Sequence, residues 1–322
     1  MAAALPDASM RAGVARVDVA RGRAPVRARR DGARRRRATR GASGARGATE
    51  GGRDDDVSVV IVPGFLSSAA AYDDLAREII ARGHASTTIV PFRAVDWWPT
   101  LAGGAFDGLL ETLDACVRGV VGGGAERRRV VLVAHSAGGW ICRLWMGSKV
   151  RYCGRATPYA GAKHVRALIT LGSPHSSAEA YPFGRIPEKR PGEKESMSDA
   201  ARGSSLVLTN EMYPGAYEPG VKYVAVAGEL DYVGAETFDV VGALRDRNKT
   251  ISQAWRDYVA GVSYKANTGD NAEVVGDGVC PVDVAALEGA ENIRVRCHHS
   301  PNSSCEWYGS PNIINEWIKY IS

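Results

Sequence analysis

The feature that most constrains this chain is the run Val130-Val-Leu-Val-Ala134, which passes without a break into His135-Ser136-Ala137-Gly138-Gly139. Five apolar residues in succession read as a strand buried on both faces. A serine follows, with very small residues two positions to either side, Ala134 and Gly138. That spacing suits a sharp turn from strand to helix in which the serine backbone is strained and its hydroxyl exposed, because larger neighbours would collide. The helix after Ser136 would then aim backbone N–H groups and its positive end at an anionic oxygen. Small-x-Ser-x-Gly also arises by chance, and its place between a strand and a helix is what gives it weight.

The segments around it repeat one theme. Residues 57–62 form a β-branched run ending at Pro63-Gly64, and further strands are predicted at 86–92, 165–171, 222–227 and 293–297, with the strand before Ser136 at 129–134. Between them, Ser67 and Ser68 can cap a helix that places Tyr72, Leu75, Ile79 and Ile80 on one face and stops at Gly83. Helices are also predicted at 106–121 and 137–147, and Ile313, Ile314, Trp317, Ile318 and Ile321 mark an amphipathic helix at the end. Alternation of this kind predicts an α/β fold, a mostly parallel sheet flanked by helices. Two stretches of the domain 57–322 break the pattern. Residues 175–204, rich in Pro, Gly, Lys and Glu, read as a lid or binding loop, and 228–275 as an excursion with a weak helical signal.

Charge separates the N-terminal segment from this domain. Residues 1–53 carry 14 Arg, no Lys and four acidic residues, a surplus of ten positive charges that leaves −5 on residues 54–322 of a chain whose total is +5. Without aromatics or apolar periodicity the segment cannot build a core. Residues 1–56 are read as a disordered, Arg-rich transit peptide and linker, since no apolar core of a secretory signal is present. An arm that binds nucleic acid is the competing reading of such an Arg run; position favours targeting, and nucleic acid is not an expected partner. Composition leaves plastid and mitochondrion open. No run of 18 apolar residues occurs, so any membrane contact is expected to be peripheral.

An activated serine needs a base, and in this architecture the order along the chain is Ser, acid, His. Of six histidines, His84 follows a helix, His135 lies inside the turn, His164 precedes a strand and His175 sits in the loop after Leu171-Gly-Ser-Pro174. Only His298 and His299 follow the last strand, from whose C-terminal end a loop can return an imidazole to the hydroxyl. His299 is favoured. For the acid, Asp277 in Val275-Gly-Asp-Gly-Val279 is preferred, with Asp231, directly after a strand, as the alternative. The carboxylate would fix the imidazole tautomer. An oxyanion hole would use the N–H groups of Ala137 and Phe65, whose side chains are not diagnostic.

Other features read more plainly. Trp97 and Trp98 could line an acyl pocket, although packing is the commoner use of such residues. The Gly-rich stretch 119–124 lacks the ending of a phosphate loop. The histidines and the six cysteines show no metal-ligand spacing, so neither a metal nor another cofactor is expected.

Val62-Pro-Gly-Phe-Leu66, Ala134-His-Ser-Ala-Gly-Gly139, Thr170-Leu-Gly-Ser-Pro-His175, Gly276-Asp-Gly-Val-Cys-Pro281 and His299-Ser-Pro301 followed by Trp307-Tyr-Gly309 together resemble the lipase-like α/β-hydrolases of plants and green algae, in the same order. The resemblance implies that Asp277 and His299 are the triad partners of Ser136. It also implies an ester substrate, small or lipid-like, since Leu-Gly-Ser-Pro-His is similar to a segment of lipases, phospholipid acyltransferases and inositol deacylases. With no hairpin before residue 57, the sheet is expected to lack the first two strands of that fold. A photosynthetic relative favours the plastid over the mitochondrion. Acyl transfer by the same triad, or a ligand-binding homologue without catalysis, are the alternative functions.

Overall fold

Strands that are apolar on both faces need cover on both sides, and the computed structural model supplies it. It describes residues 57–84, 86–122, 129–152, 155–178, 203–230, 251–269, 273–301 and 305–322, with a few positions between 235 and 245. These belong to one unit of the chain, Gly52–Ser322. The expected N-terminal targeting segment and linker, and most of the expected lid at 175–204, lie outside the described residues.

Among the described residues six strands, β1 (Ser58–Val62), β2 (Ser86–Ile89), β3 (Val130–His135), β4 (Val165–Leu171), β5 (Lys222–Gly228) and β6 (Glu291–Val295), form one sheet in the order β2-β1-β3-β4-β5-β6. Every neighbouring pair is parallel. The period of two along a strand sorts its side chains. Val60, Val62, Leu132 and Ala134 enter one core layer, while Val59, Ile61, Val131 and Val133 enter the other. All of β3 is buried, as the apolar run predicts. Each fully buried Val or Leu is worth about 1.5–3 kcal/mol, so a polar residue in place of Val130, Val131, Leu132 or Val133 would be costly.

The first layer is closed by α2 (Asp107–Val121), α3 (Ala137–Met146), which begins directly after Ser136, and α4 (Ser205–Met212). Ser204 caps α4 by accepting from Val207 N at 3.2 Å. The second layer is closed by α1 (Asp73–Ala81) and by the C-terminal turn Ile314–Trp317 with its 3-10 extension Ile318–Tyr320. Leu75 and Ile79 share the buried face of α1, whereas Ile80 is 47% exposed, because one further residue rotates the side chain by about 100° away from that stripe. The excursion at 228–275 contains a full helix, α5 (Ile251–Thr268). Its sequence signal is weak because the buried face is lined by Ala254, Asp257, Ala260, Gly261 and Tyr264 rather than by large aliphatics.

Candidate active site

Parallel strands end at one edge of the sheet, and loops leaving that edge meet. Register pairs Val62 with Ala134, so the loop after β1 and the turn after β3 start level with each other. Ser136 sits in that turn with φ 52° and ψ −130°, a conformation a non-glycine residue adopts only under constraint. Gly138 has to be small: a Cβ there would lie 2.8 Å from the Val62 carbonyl oxygen. Its bare Cα lets α3 start hard against β1.

Two loops bring up the partners. Gly276 and Pro281 form an isolated antiparallel bridge, and Gly278 has φ 94°, so the Gly-Asp-Gly segment is a tight turn with Asp277 inside it. The Asp277 Oδ1 accepts the N–H groups of Val279 at 2.9 Å and Cys280 at 2.7 Å. Its Oδ2 lies 2.6 Å from His299 Nδ1 and accepts the Tyr308 hydroxyl at 2.7 Å. Burial opposes the charge of this carboxylate, yet the His299 imidazole and these donors outweigh it and hold the carboxyl below the usual range. On the other side of the ring, His299 Nε2 stands 3.0 Å from Ser136 Oγ. An ionised carboxylate only accepts, so Nδ1 carries the proton and Nε2 is bare to receive the serine's. Asp277 is 1% exposed and His299 8%.

No protein-family model matches the chain, and no curated protein matches it in sequence. Solved structures do match. The mature form of the lipase BlEst2 from Bacillus licheniformis aligns with a TM-score of 0.50 at 17% identity, over 85% of this chain and 96% of that one. The chain has the α/β-hydrolase fold. A metagenomic carboxyl esterase, MGS0156, aligns at 0.47 and 16% identity over 86% and 78% of the two chains. EstA from Clostridium botulinum aligns at 0.45 and 14% identity over 83% and 87%.

Within this fold the described sheet begins at Ser58, and no hairpin precedes it among the described residues. The expected site residues Ser136, Asp277 and His299 come together. Phe65 follows Gly64 in the loop after β1 and Ala137 opens α3, the two positions expected to donate to an oxyanion. Asp231 lies outside the described residues. His298 points elsewhere, into a polar cavity of about 440 Å³ lined also by Arg256, Arg296 and Glu306. Trp97 is a correction to the expected acyl pocket: it is fully buried, with its ring edge-on to Phe65, Phe92 and Phe106. It supports the loop of Phe65 from behind because the short 3-10 turn Ala94–Trp97 aims it at the core. Trp98, one residue on, is 62% exposed.

Sequence reasoning passed over several residues that hold the site. The Tyr308 hydroxyl accepts the Gly228 N–H at 2.7 Å while donating to Asp277; its signal was the Trp307-Tyr-Gly segment. His175 of the Leu-Gly-Ser-Pro-His segment is a framework histidine. It is buried, with Nε2 3.1 Å from Thr170 Oγ1 and its backbone oxygen accepting from Asn210 at 2.8 Å. Beside it the buried Arg143 of α3 donates to Asn210 Oδ1 at 3.0 Å and to the Tyr213 carbonyl at 2.6 Å, and burial lowers its guanidinium pKa to about 10. The elbow helix is thereby tied to α4. His135 and Tyr72, 2.7 Å apart between ring nitrogen and hydroxyl, form a third group beside the nucleophile.

Proposed function

We propose that this protein is a serine hydrolase that cleaves carboxylic esters of acyl lipids, with Ser136 as nucleophile, His299 as base and Asp277 as acid. The observation that carries the reading is the unbroken line from Ser136 Oγ to His299 Nε2 at 3.0 Å and from His299 Nδ1 to Asp277 Oδ2 at 2.6 Å. In the first step Ser136 Oγ bonds to the ester carbonyl carbon as its proton passes to Nε2. The carbonyl oxygen becomes an oxyanion held by the N–H groups of Phe65 and Ala137. Collapse of this intermediate breaks the bond to the alcohol, which leaves with the proton from Nε2. Water then repeats the sequence on the acyl-enzyme, releasing the carboxylic acid and restoring Ser136.

The lipid part of the proposal is supported by α5. Its side chains Ile251, Trp255, Val259 and Val262 recur at helical spacing and are all exposed, and Phe238 meets Trp255 edge to face at 5.3 Å. Of the three charged residues of α5, Asp257 is buried, whereas Arg256 and Lys265 are exposed and positive. An apolar stripe with aromatic and basic residues suits an anionic lipid surface. This stripe adjoins the acid loop, because Ser263 Oγ donates to the Val279 carbonyl at 2.9 Å and Tyr264 OH accepts the Gly278 N–H at 2.8 Å. We assign the work of the enzyme to a plastid, on the Arg-rich N-terminal segment and the resemblance to plant and green-algal proteins.

The test is fluorophosphonate labelling of residues 54–322, with turnover of a short acyl p-nitrophenyl ester measured alongside. Both are expected of the parent and both should vanish in Ser136→Ala. A parent that neither labels nor turns over, even with detergent or lipid present, would leave the hydrolase reading without support.

A further inference from the structure

The residue before the nucleophile, His135, has no part in the proton transfers above, yet it is 3% exposed and lies between three functional segments. Its Nε2 stands 2.9 Å from the backbone carbonyl oxygen of His299. Its Nδ1 stands 2.7 Å from the Tyr72 hydroxyl, and that hydroxyl accepts the Gly64 N–H at 2.9 Å. Donor logic settles the direction of every bond. A carbonyl only accepts, so Nε2 bears the proton. Nδ1 is then an acceptor, and the Tyr72 O–H points at it. The result is one directed chain: Gly64 N–H to Tyr72 oxygen, Tyr72 O–H to His135 Nδ1, His135 Nε2–H to His299 carbonyl.

Both ends of this chain touch chemistry. Gly64 precedes Phe65, the proposed oxyanion donor. His299 is held at its other backbone group as well, because its N–H donates to the Asp277 carbonyl at 3.0 Å. With N–H and C=O both fixed, the backbone that carries the imidazole has little freedom to turn. The seat is built for this ring: a Cβ on Gly64 would lie 2.9 Å from His135 Nδ1 and 2.9 Å from the Ser136 Cβ. Around it stand the rings of Tyr72 at 5.7 Å, Trp307 at 5.8 Å, Tyr308 at 6.1 Å and His299 itself at 4.7 Å. Burial, with the neighbouring His299 next in effect, lowers the His135 pKa to about 3, so the imidazole stays neutral and the acceptor at Nδ1 is preserved.

Resting on the hydrolase reading, we infer that His135 is a positioning residue: protonated at Nε2 alone, it locks the His299 backbone and the Phe65 loop to the nucleophile turn in one arrangement. A histidine is needed because the two bonds leave opposite sides of one rigid ring, one as donor and one as acceptor. The inference predicts a cost in the chemical step rather than in substrate binding, since misplacing a reacting group by about 1 Å can cost ~100-fold.

Two measurements test it. The first is made on the intact parent: long-range 15N NMR of the histidine rings between pH 5.5 and 8 is expected to give His135 as the neutral Nε2–H tautomer. An Nδ1–H tautomer, or protonation in that range, would overturn the chain of bonds whether or not the protein is an esterase. The second compares His135→Gln, His135→Leu and Tyr72→Phe on a short p-nitrophenyl ester, at temperatures set equally far below each melting point. His135→Leu is expected to lower kcat ~10-fold or more with KM within about twofold, and His135→Gln, which keeps a donor for the His299 carbonyl, to recover about a third of the parent kcat. Tyr72→Phe should lower kcat as well and add little to His135→Leu, because both cut the same chain. Equal kcat in the Gln and Leu variants, or a loss confined to KM, would overturn the inference. Loss of labelling in the parent itself would instead remove the hydrolase reading.

Discussion

One carboxylate oxygen, Oδ2 of Asp277, serves both the imidazole of His299 at 2.6 Å and the hydroxyl of Tyr308 at 2.7 Å. The second bond completes a set of four donors on a carboxylate that is almost wholly buried, and Tyr308 in turn is held by the Gly228 N–H. Tyr308→Phe removes the donor and strips the Gly228 N–H of its acceptor inside the protein. Leaving such a group unpaired costs about 1–3 kcal/mol. Thermal or urea denaturation should register a loss of that size, and kcat should fall on the order of tenfold as the carboxylate orients the imidazole less firmly. A Tyr308→Phe protein as stable and active as the parent would mean that the fourth donor is dispensable.

The assignment of the acid is open to a direct comparison. Asp277→Asn replaces an acceptor of four bonds with an amide that must present two donors to them, and it leaves the His299 tautomer unfixed. A drop in kcat on the order of 1,000–10,000-fold is expected, with Asp231→Asn close to the parent. The opposite ranking in steady-state kinetics would transfer the role to Asp231.

Two glycines make room for the acid and base. Gly172, just after β4, has φ 57°, and a Cβ there would lie 2.6 Å from Asp277 Oδ2, 2.7 Å from the Tyr308 hydroxyl and 3.0 Å from His299 Nδ1. Gly228, at the end of β5, would place a Cβ 2.6 Å from that of Asp277. Alanine at either position should cost ~100-fold in kcat/KM through displacement of the triad, and at Gly172 backbone strain adds a stability loss of roughly 1–3 kcal/mol. Activity assays with the melting temperature recorded in parallel separate the two effects.

Acid should unfold this protein early. The His135 pKa falls from 6.5 unfolded to about 3 folded through burial and the nearby His299, and His175 is held well below 6.5 by burial and the adjacent Arg143. Between those values and 6.5 the unfolded chain binds protons that the folded one does not. Stability is therefore full above about pH 6.5 and declines as pH falls, by up to about 1.4 kcal/mol per pH unit for each histidine. The lowered carboxyl of Asp277 acts in the same direction at still lower pH. Urea midpoints measured from pH 8 to 4 should fall steadily below pH 6.5, and should fall less steeply in a folded His175→Gln variant.

If α5 meets a lipid surface, its outer stripe should govern adsorption. Replacing Trp255 and Val262, 51% and 54% exposed, with serine removes two apolar side chains that would each be worth about 1.5–3 kcal/mol if buried. Partitioning onto vesicles containing anionic phospholipid should drop by tenfold or more in a sedimentation assay. Equal sedimentation of the double variant and the parent would remove α5 from the lipid proposal.

The sequence by itself determined the frame: β-branched runs with helical patterns between them allow little besides a parallel sheet with cover on both faces, and β3 is buried along its whole length as its composition requires. It also determined the turn at Ser136, because Ala134, Gly138 and Gly139 are small where neighbouring segments pass close. The choice between His298 and His299, by contrast, was not a property of either residue. Both lie in one loop, and only the bridge of His298 to Trp307, together with the bond from His299 N to the Asp277 carbonyl, turns one imidazole to the serine and the other away. The roles of Tyr72, His135 and Tyr308 were equally hidden, since their partners are 63, 164 and 31 residues distant in the chain. Local sequence carries periodicity and backbone freedom, which are set by neighbours a few residues away. Hydrogen bonds between distant loops exist only once the sheet has brought its strand ends together.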